Sequence, residues 1–113
     1  MNRFELFTVI YFWLDSFYED TTDKSIINQL SEMNPFLWKD ICSADPAVYD
    51  EFCTFIGKRN ITIDNSLELA GEYVNTIDHA DMTEAFRDID EGKWKDGCRK
   101  NLSMEHKGAD IRE

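Results

Sequence analysis

The stretch NRFELFTVIYFWLDSFYED, residues 2 to 20, carries two apolar stripes side by side. Leu6, Ile10, Trp13 and Phe17 fall at helical spacing, and Phe7, Tyr11, Leu14 and Tyr18 form a second row beside them. Residues three and four apart share a helix face, so two adjacent rows predict a helix covered on most of its circumference. A helix of that kind belongs at the centre of a fold. The chain has 113 residues, enough for one core without disulfide or metal staples.

The rest of the chain supplies helices to surround it. Thr22 or Asp23 is placed to cap a second helix carrying Ile26, Ile27, Leu30 and Met33, which Asn34-Pro35 ends. Phe36-Leu37-Trp38 with Ile41 predicts a short helical turn. Ser43 or Asp45 then caps a helix with Pro46 in its first turn, Gly57 at its end and a stripe of Tyr49, Phe52, Cys53 and Ile56. That stripe makes Cys53 a core residue rather than a nucleophile. KRNITID alone alternates like a strand, and seven residues cannot make a sheet. Asn65 precedes a helix with Leu67, Ala70, Val74 and Ile77 inward and Glu68 placed to complete its cap. Asp78 or Asp81 opens a last helix with Met82, Ala85, Phe86 and Ile89 inward, and Gly92 and Gly97 break the pattern. The expectation is an all-α, compact single-domain bundle of about five helices, spanning 1–102, with 103–113 as a flexible C-terminal tail.

Charge narrows the function classes. The formal net charge is −11. Residues 1 to 91 hold nineteen acids against six bases, whereas residues 92 to 113 hold four acids against six bases. Such an excess repels nucleic acid and anionic membranes and speeds encounter with a basic partner. It also aids solubility, which is the plain alternative. The apolar run at 9–14 is shorter than the roughly 18 residues of a membrane span. It is flanked by Glu5 and Asp15 without a cleavage site, so no signal peptide is expected. Cys42, Cys53 and Cys98 are odd in number and unclustered. Free thiols in a reducing cytoplasm account for them.

Two acidic groups stand out. Asp15, Glu19, Asp20 and Asp23 cluster where the first helix ends, and Asp81, Glu84, Asp88 and Glu91 recur at i, i+3, i+7 and i+10. On a helix the second set forms one face, where like charges repel by a few tenths of a kcal/mol per pair. The carboxylates past that helix's midpoint gain nothing from the helix dipole, which makes this face the leading candidate for a basic partner. A solvated surface is the bland alternative.

Chemistry has little foothold. A calcium loop starting at Asp88 needs a ligand at 92 and glycine at 93, where Gly92 and Lys93 stand. Zinc needs His and Cys at short spacing, and His79 with Asp81 and Glu84 is a loose cluster. Acid/base catalysis needs a carboxyl in an apolar pocket, but the acids here lie on polar faces and turns. There is no glycine-rich phosphate loop. No enzyme, metal or cofactor is expected.

Two segments, YFWLDSFYEDTTD and NPFLWKDICSADPAVYDEF, resemble the helical immunity proteins of bacterial contact-dependent growth inhibition (CDI) systems, over roughly residues 4 to 90. The resemblance implies a cytoplasmic antitoxin that binds and neutralises the C-terminal toxin domain of a CDI exoprotein, often a nuclease. Its partner is then a basic toxin domain, and neither nucleic acid nor membrane. The aromatics of both segments are at core spacing, which makes them structural on this reading. A phage or plasmid protein mimicking DNA to inhibit a nucleic-acid enzyme is the alternative, with acids spaced like phosphates along an elongated body. The bases Lys93, Lys95, Arg99 and Lys100 count against it. A third reading is a structural subunit whose exposed aromatics form an oligomer interface.

Overall fold

A computed structural model describes residues 1–111. The described residues form five α-helices: α1 (Arg3–Phe17), α2 (Lys24–Met33), α3 (Pro46–Ile56), α4 (Ile63–Asn75) and α5 (Glu91–Ser103). A 3-10 turn, Thr83–Phe86, lies between α4 and α5, and the described residues hold no strand. This is an all-α single domain.

α1 packs against each of the other four helices. Every residue from Phe4 to Ile10 is buried, so the first two turns are enclosed on all sides, as the paired stripes predict. One aromatic chain crosses the core from α1 through α3 to α4. Its ring centroids lie 5.1 Å apart for Phe7–Phe52 and 4.8 Å for Phe52–Tyr73. A second cluster joins α1, the 3-10 turn and α5, with Trp94 at 5.9 Å from Trp13 and 5.7 Å from Phe86. Edge-to-face rings like these add about 0.5–1.5 kcal/mol per pair to area burial.

Local chemistry sets the helix starts. Asn2 and Glu5 form a capping box on α1, each side chain accepting the other's backbone N–H at 2.8 Å. Asp23 caps α2, and Asp45 caps α3 with Pro46 in the first turn. α4 begins three residues earlier than Asn65 suggests. Thr62 is its cap and Asn65 completes the box, so Glu68 has no part in it. Ile61 is buried ahead of that cap, and no strand forms over KRNITID.

Three expectations fail for identifiable reasons. Residues 34–45 contain turns and bends, with no helix at Phe36–Trp38. Asn34 Oδ1 accepts the Phe36 N–H at 2.8 Å, a side-chain bond that competes with helix formation. Residues 78–90 likewise form no α-helix. Asp81 Oδ1 takes the Thr83 N–H and hydroxyl, and Asp90 is the cap of α5, so acids at both ends bind local donors instead of allowing the chain to coil through. The apolar set still faces inward: Met82 and Ala85 are buried, and Phe86 and Ile89 pack at the core's edge. Finally, α5 runs straight through Gly92 and Gly97, because Trp94 and Cys98, four apart and both buried, anchor its inner face.

The segment after Ser103, expected to be loose, lies against α1 as far as it is described; residues 112 and 113 fall outside the described range. Asn2 Nδ2 donates to the Gly108 carbonyl at 2.9 Å, and His106 Nε2 is 2.6 Å from Glu5 Oε2. Lys107 Nζ donates to the carbonyls of Pro35 (2.7 Å) and Trp38 (2.5 Å).

Candidate partner-binding surface

The second acidic group is not a helical face. Asp81 is engaged by Thr83, whose hydroxyl and N–H hold its carboxyl below the usual range. Glu91 begins α5 and pairs with Lys95 at 3.1 Å. Glu84 and Asp88 line a recess with Trp13 and Phe17, but Arg87 and Lys93 line it too. Bases therefore interrupt the row that the helical reading had made continuous.

The first group is barer. Asp15, Glu19, Asp20 and Asp23 are all exposed. Asp23 is occupied as the α2 cap, and hydrogen bonds from Ser25 hold its carboxyl below the ordinary value. Among the described residues, Asp15, Glu19 and Asp20 form no ion pair. Asp15 and Glu19 line a recess with Tyr11, Tyr18, Ile27 and Ser31. Ile27, placed inward by the sequence pattern, is 43% exposed there. Tyr11 titrates above its usual value, through burial first and the neighbouring Asp15 charge second.

Large apolar side chains also reach the surface. Phe12 on α1, Phe36, Leu37 and Trp38 in the 34–45 loop, and Met104 after α5 are each between 46% and 60% exposed. Phe12 and Phe36 stand 5.5 Å apart, and Tyr11 lies 6.4 Å from Phe36, joining this group to the Asp15 recess. A mainly apolar groove runs between Thr8, Phe12, Phe36, Met104 and Lys107. The spacing of Phe36 and Trp38 predicts structural, core-facing aromatics; in the fold they are half exposed. Phe12 could have been found from the sequence. It lies on neither apolar stripe, and shares a row with Thr8, Asp15 and Glu19 instead.

Ser66 Oγ donates to the Ile63 carbonyl at 2.7 Å and accepts from the Trp94 indole at 2.9 Å, so it is committed to structure. Burial pushes the neighbouring Cys98 thiol up, away from the thiolate. His79 is 4.0 Å from Glu32 at the surface, and no group of three or more His, Cys, Asp or Glu residues is gathered to hold a metal among the described residues. No described helix is long and apolar enough to cross a membrane. No protein-family model, curated protein or solved structure matches this chain.

Proposed function

We propose that this chain is a cytoplasmic immunity protein, without catalytic activity, that binds and neutralises the basic toxin domain, a nuclease, at the C-terminus of a CDI exoprotein. The observation that carries the reading is the placement of charge. A net −11 is held on exposed carboxylates, and Asp15, Glu19 and Asp20 have no ion-pair partner among the described residues. A nuclease presents lysine and arginine to phosphate, and an acidic surface competes for those groups. Immunity demands capture before damage, and opposite charge lifts association above the neutral range of about 10⁵ to 10⁶ M⁻¹s⁻¹. The body measures 37 × 30 × 26 Å, little longer than it is wide, which supports this reading over an elongated DNA mimic.

The test is to co-express the protein with the toxin domain encoded beside its gene and to score survival. Protection is expected. Cells that die while holding soluble, folded protein would refute the immunity reading.

A further inference from the structure

We infer that the exposed apolar surface formed by Phe12, Phe36, Leu37, Trp38 and Met104 is the anchor site for a basic protein segment, one that seats an apolar side chain in the Phe12–Phe36 groove and a lysine or arginine against Asp15 and Glu19. This rests on the reading that the chain works by binding a basic partner, and it names where and by what chemistry.

The surface is built, not incidental. The 34–45 loop is closed at its base by the Ala44 N–H on the Asn34 carbonyl at 2.8 Å. The Trp38 indole donates to the Ala44 carbonyl at 3.1 Å, and Lys107 ties the carbonyls of Pro35 and Trp38 to the chain end. Three consecutive large apolar side chains are thus held in water by a loop closed at its base and tied down by Lys107. Leu37 alone is 60% exposed. Exposed apolar surface of this kind marks an interaction site, and a preorganised loop spares the ordering entropy that binding otherwise costs. Tryptophan and tyrosine are among the side chains enriched at interface hot spots, and Trp38 and Tyr11 belong to this surface.

Charge selects the occupant. Phe12 and Asp15 are three residues apart on α1, and Tyr11 bridges the apolar groove to the recess that Asp15 and Glu19 line. Lys107 lies at the groove, but its ammonium is bound to two carbonyls. A segment bearing cations beside its apolar anchor meets complementary groups. A second copy of the chain, docked by the same face, would bring Asp15 and Glu19 against their own counterparts under a net −11 per protomer.

The probe is a synthetic helical peptide with leucines on one face and lysines on the other, titrated against the full chain by fluorescence anisotropy. Wild type should bind it, and a leucine/glutamate version should not bind. Leu37→Ser and Phe12→Ser should each weaken binding by about tenfold or more, as truncated anchors do. Asp15→Lys with Glu19→Lys should weaken it most at low salt, and Asp88→Lys with Glu91→Lys should leave it near wild type. Leu37 is exposed enough for its serine variant to stay folded, which circular dichroism verifies. Peptide binding indifferent to Leu37 and Phe12, or equally sensitive to Asp88 and Glu91, overturns the inference. So does self-association in sedimentation that Leu37→Ser abolishes, which would assign the face to a second copy. The peptide needs no toxin, so the two readings fail separately. A failed survival assay with peptide bound at this face removes immunity alone, whereas survival undiminished by Leu37→Ser and Phe12→Ser, with peptide binding also unchanged, removes the anchor alone.

Discussion

Glu5 illustrates how much one side chain can coordinate. Its Oε1 closes the α1 capping box on the Asn2 N–H, and its Oε2 holds His106, more than a hundred residues along the chain. His106 Nδ1 faces the Met104 carbonyl at 2.6 Å, so both ring nitrogens face acceptors and the protonated ring satisfies both. Burial draws this imidazole down, but the Met104 carbonyl and the Glu5 carboxylate together outweigh it and leave it above its ordinary value. A histidine raised on folding contributes stability that is full below its unfolded value, about pH 6.5, and is lost as pH rises through the higher folded value. The stability advantage of wild type over His106→Gln should therefore shrink on raising pH through that window; an advantage that grows instead would contradict the pairing. Gly108 offers a steric counterpart. Its φ is +88°, and a Cβ there would stand 2.7 Å from Cδ2 of the buried Phe4 ring. Gly108→Ala should lower unfolding stability in urea by about 1–3 kcal/mol, combining backbone strain with overpacking. In the core, Phe52 is fully enclosed between Phe7 and Tyr73, and Phe52→Ala should cost about 3–5 kcal/mol in the same measurement.

α5 is the helix whose existence least resembles its local sequence. Gly92 and Gly97 each disfavour it by roughly 1 kcal/mol relative to alanine. Trp94 and Cys98 compensate by burying one face completely, with the Trp94 indole bonded to Ser66 of α4. Nothing stands within 4 Å of a Cβ added at Gly97, and its φ lies outside the positive range that favours glycine. Gly97→Ala should therefore stabilise the protein by about 0.5–1 kcal/mol, read as a higher denaturation midpoint. A destabilised variant would show that this face of α5 is more crowded than the structure has it. The 78–90 segment is the converse case. Its apolar residues keep helical spacing and reach the core, yet Asp81 and Asp90 spend their carboxylates on nearby backbone N–H groups and leave only a 3-10 turn between.

Across the surface, charge and apolar area share one neighbourhood. The acids around Asp15 adjoin Tyr11, Phe12 and Phe36, while the bases Lys93, Lys95, Arg99 and Lys100 ride on α5. Exposed rim charges act mainly on association rate and its salt dependence, whereas buried anchors act on dissociation. With the toxin domain as partner, Asp15→Lys with Glu19→Lys should slow capture, more at low salt than at 0.15 M, where the field is already screened to about 8 Å. Leu37→Ser should instead speed release. Surface-plasmon kinetics separate the two, and a salt-independent on-rate in the wild type would argue that charge does not steer this encounter.

Much of the architecture was legible in residue order because it depends on neighbours three and four apart. The apolar rows over the first turns of α1, an acid from each capping pair (Asp23 and Asp45), and Pro46 in the first turn of α3 all act within one or two helical turns and stand where spacing puts them. Phe17, at the end of the first row, is instead 48% exposed. The acidic excess was equally plain, since it needs only counting. What spacing could not decide is which apolar residues remain in water. Phe36, Leu37 and Trp38 are as hydrophobic as any core residue. Their exposure follows from a loop closed by Asn34 and Ala44 and pinned by Lys107 from about seventy residues away. The partners of the acids were hidden for the same reason: Glu91 meets Lys95 only because α5 continues through Gly92, and Asp15 stays bare because packing brings no base to it among the described residues. Local periodicity is set by backbone geometry, whereas exposure and pairing are set by which distant segments arrive, and that is a property of the packed chain.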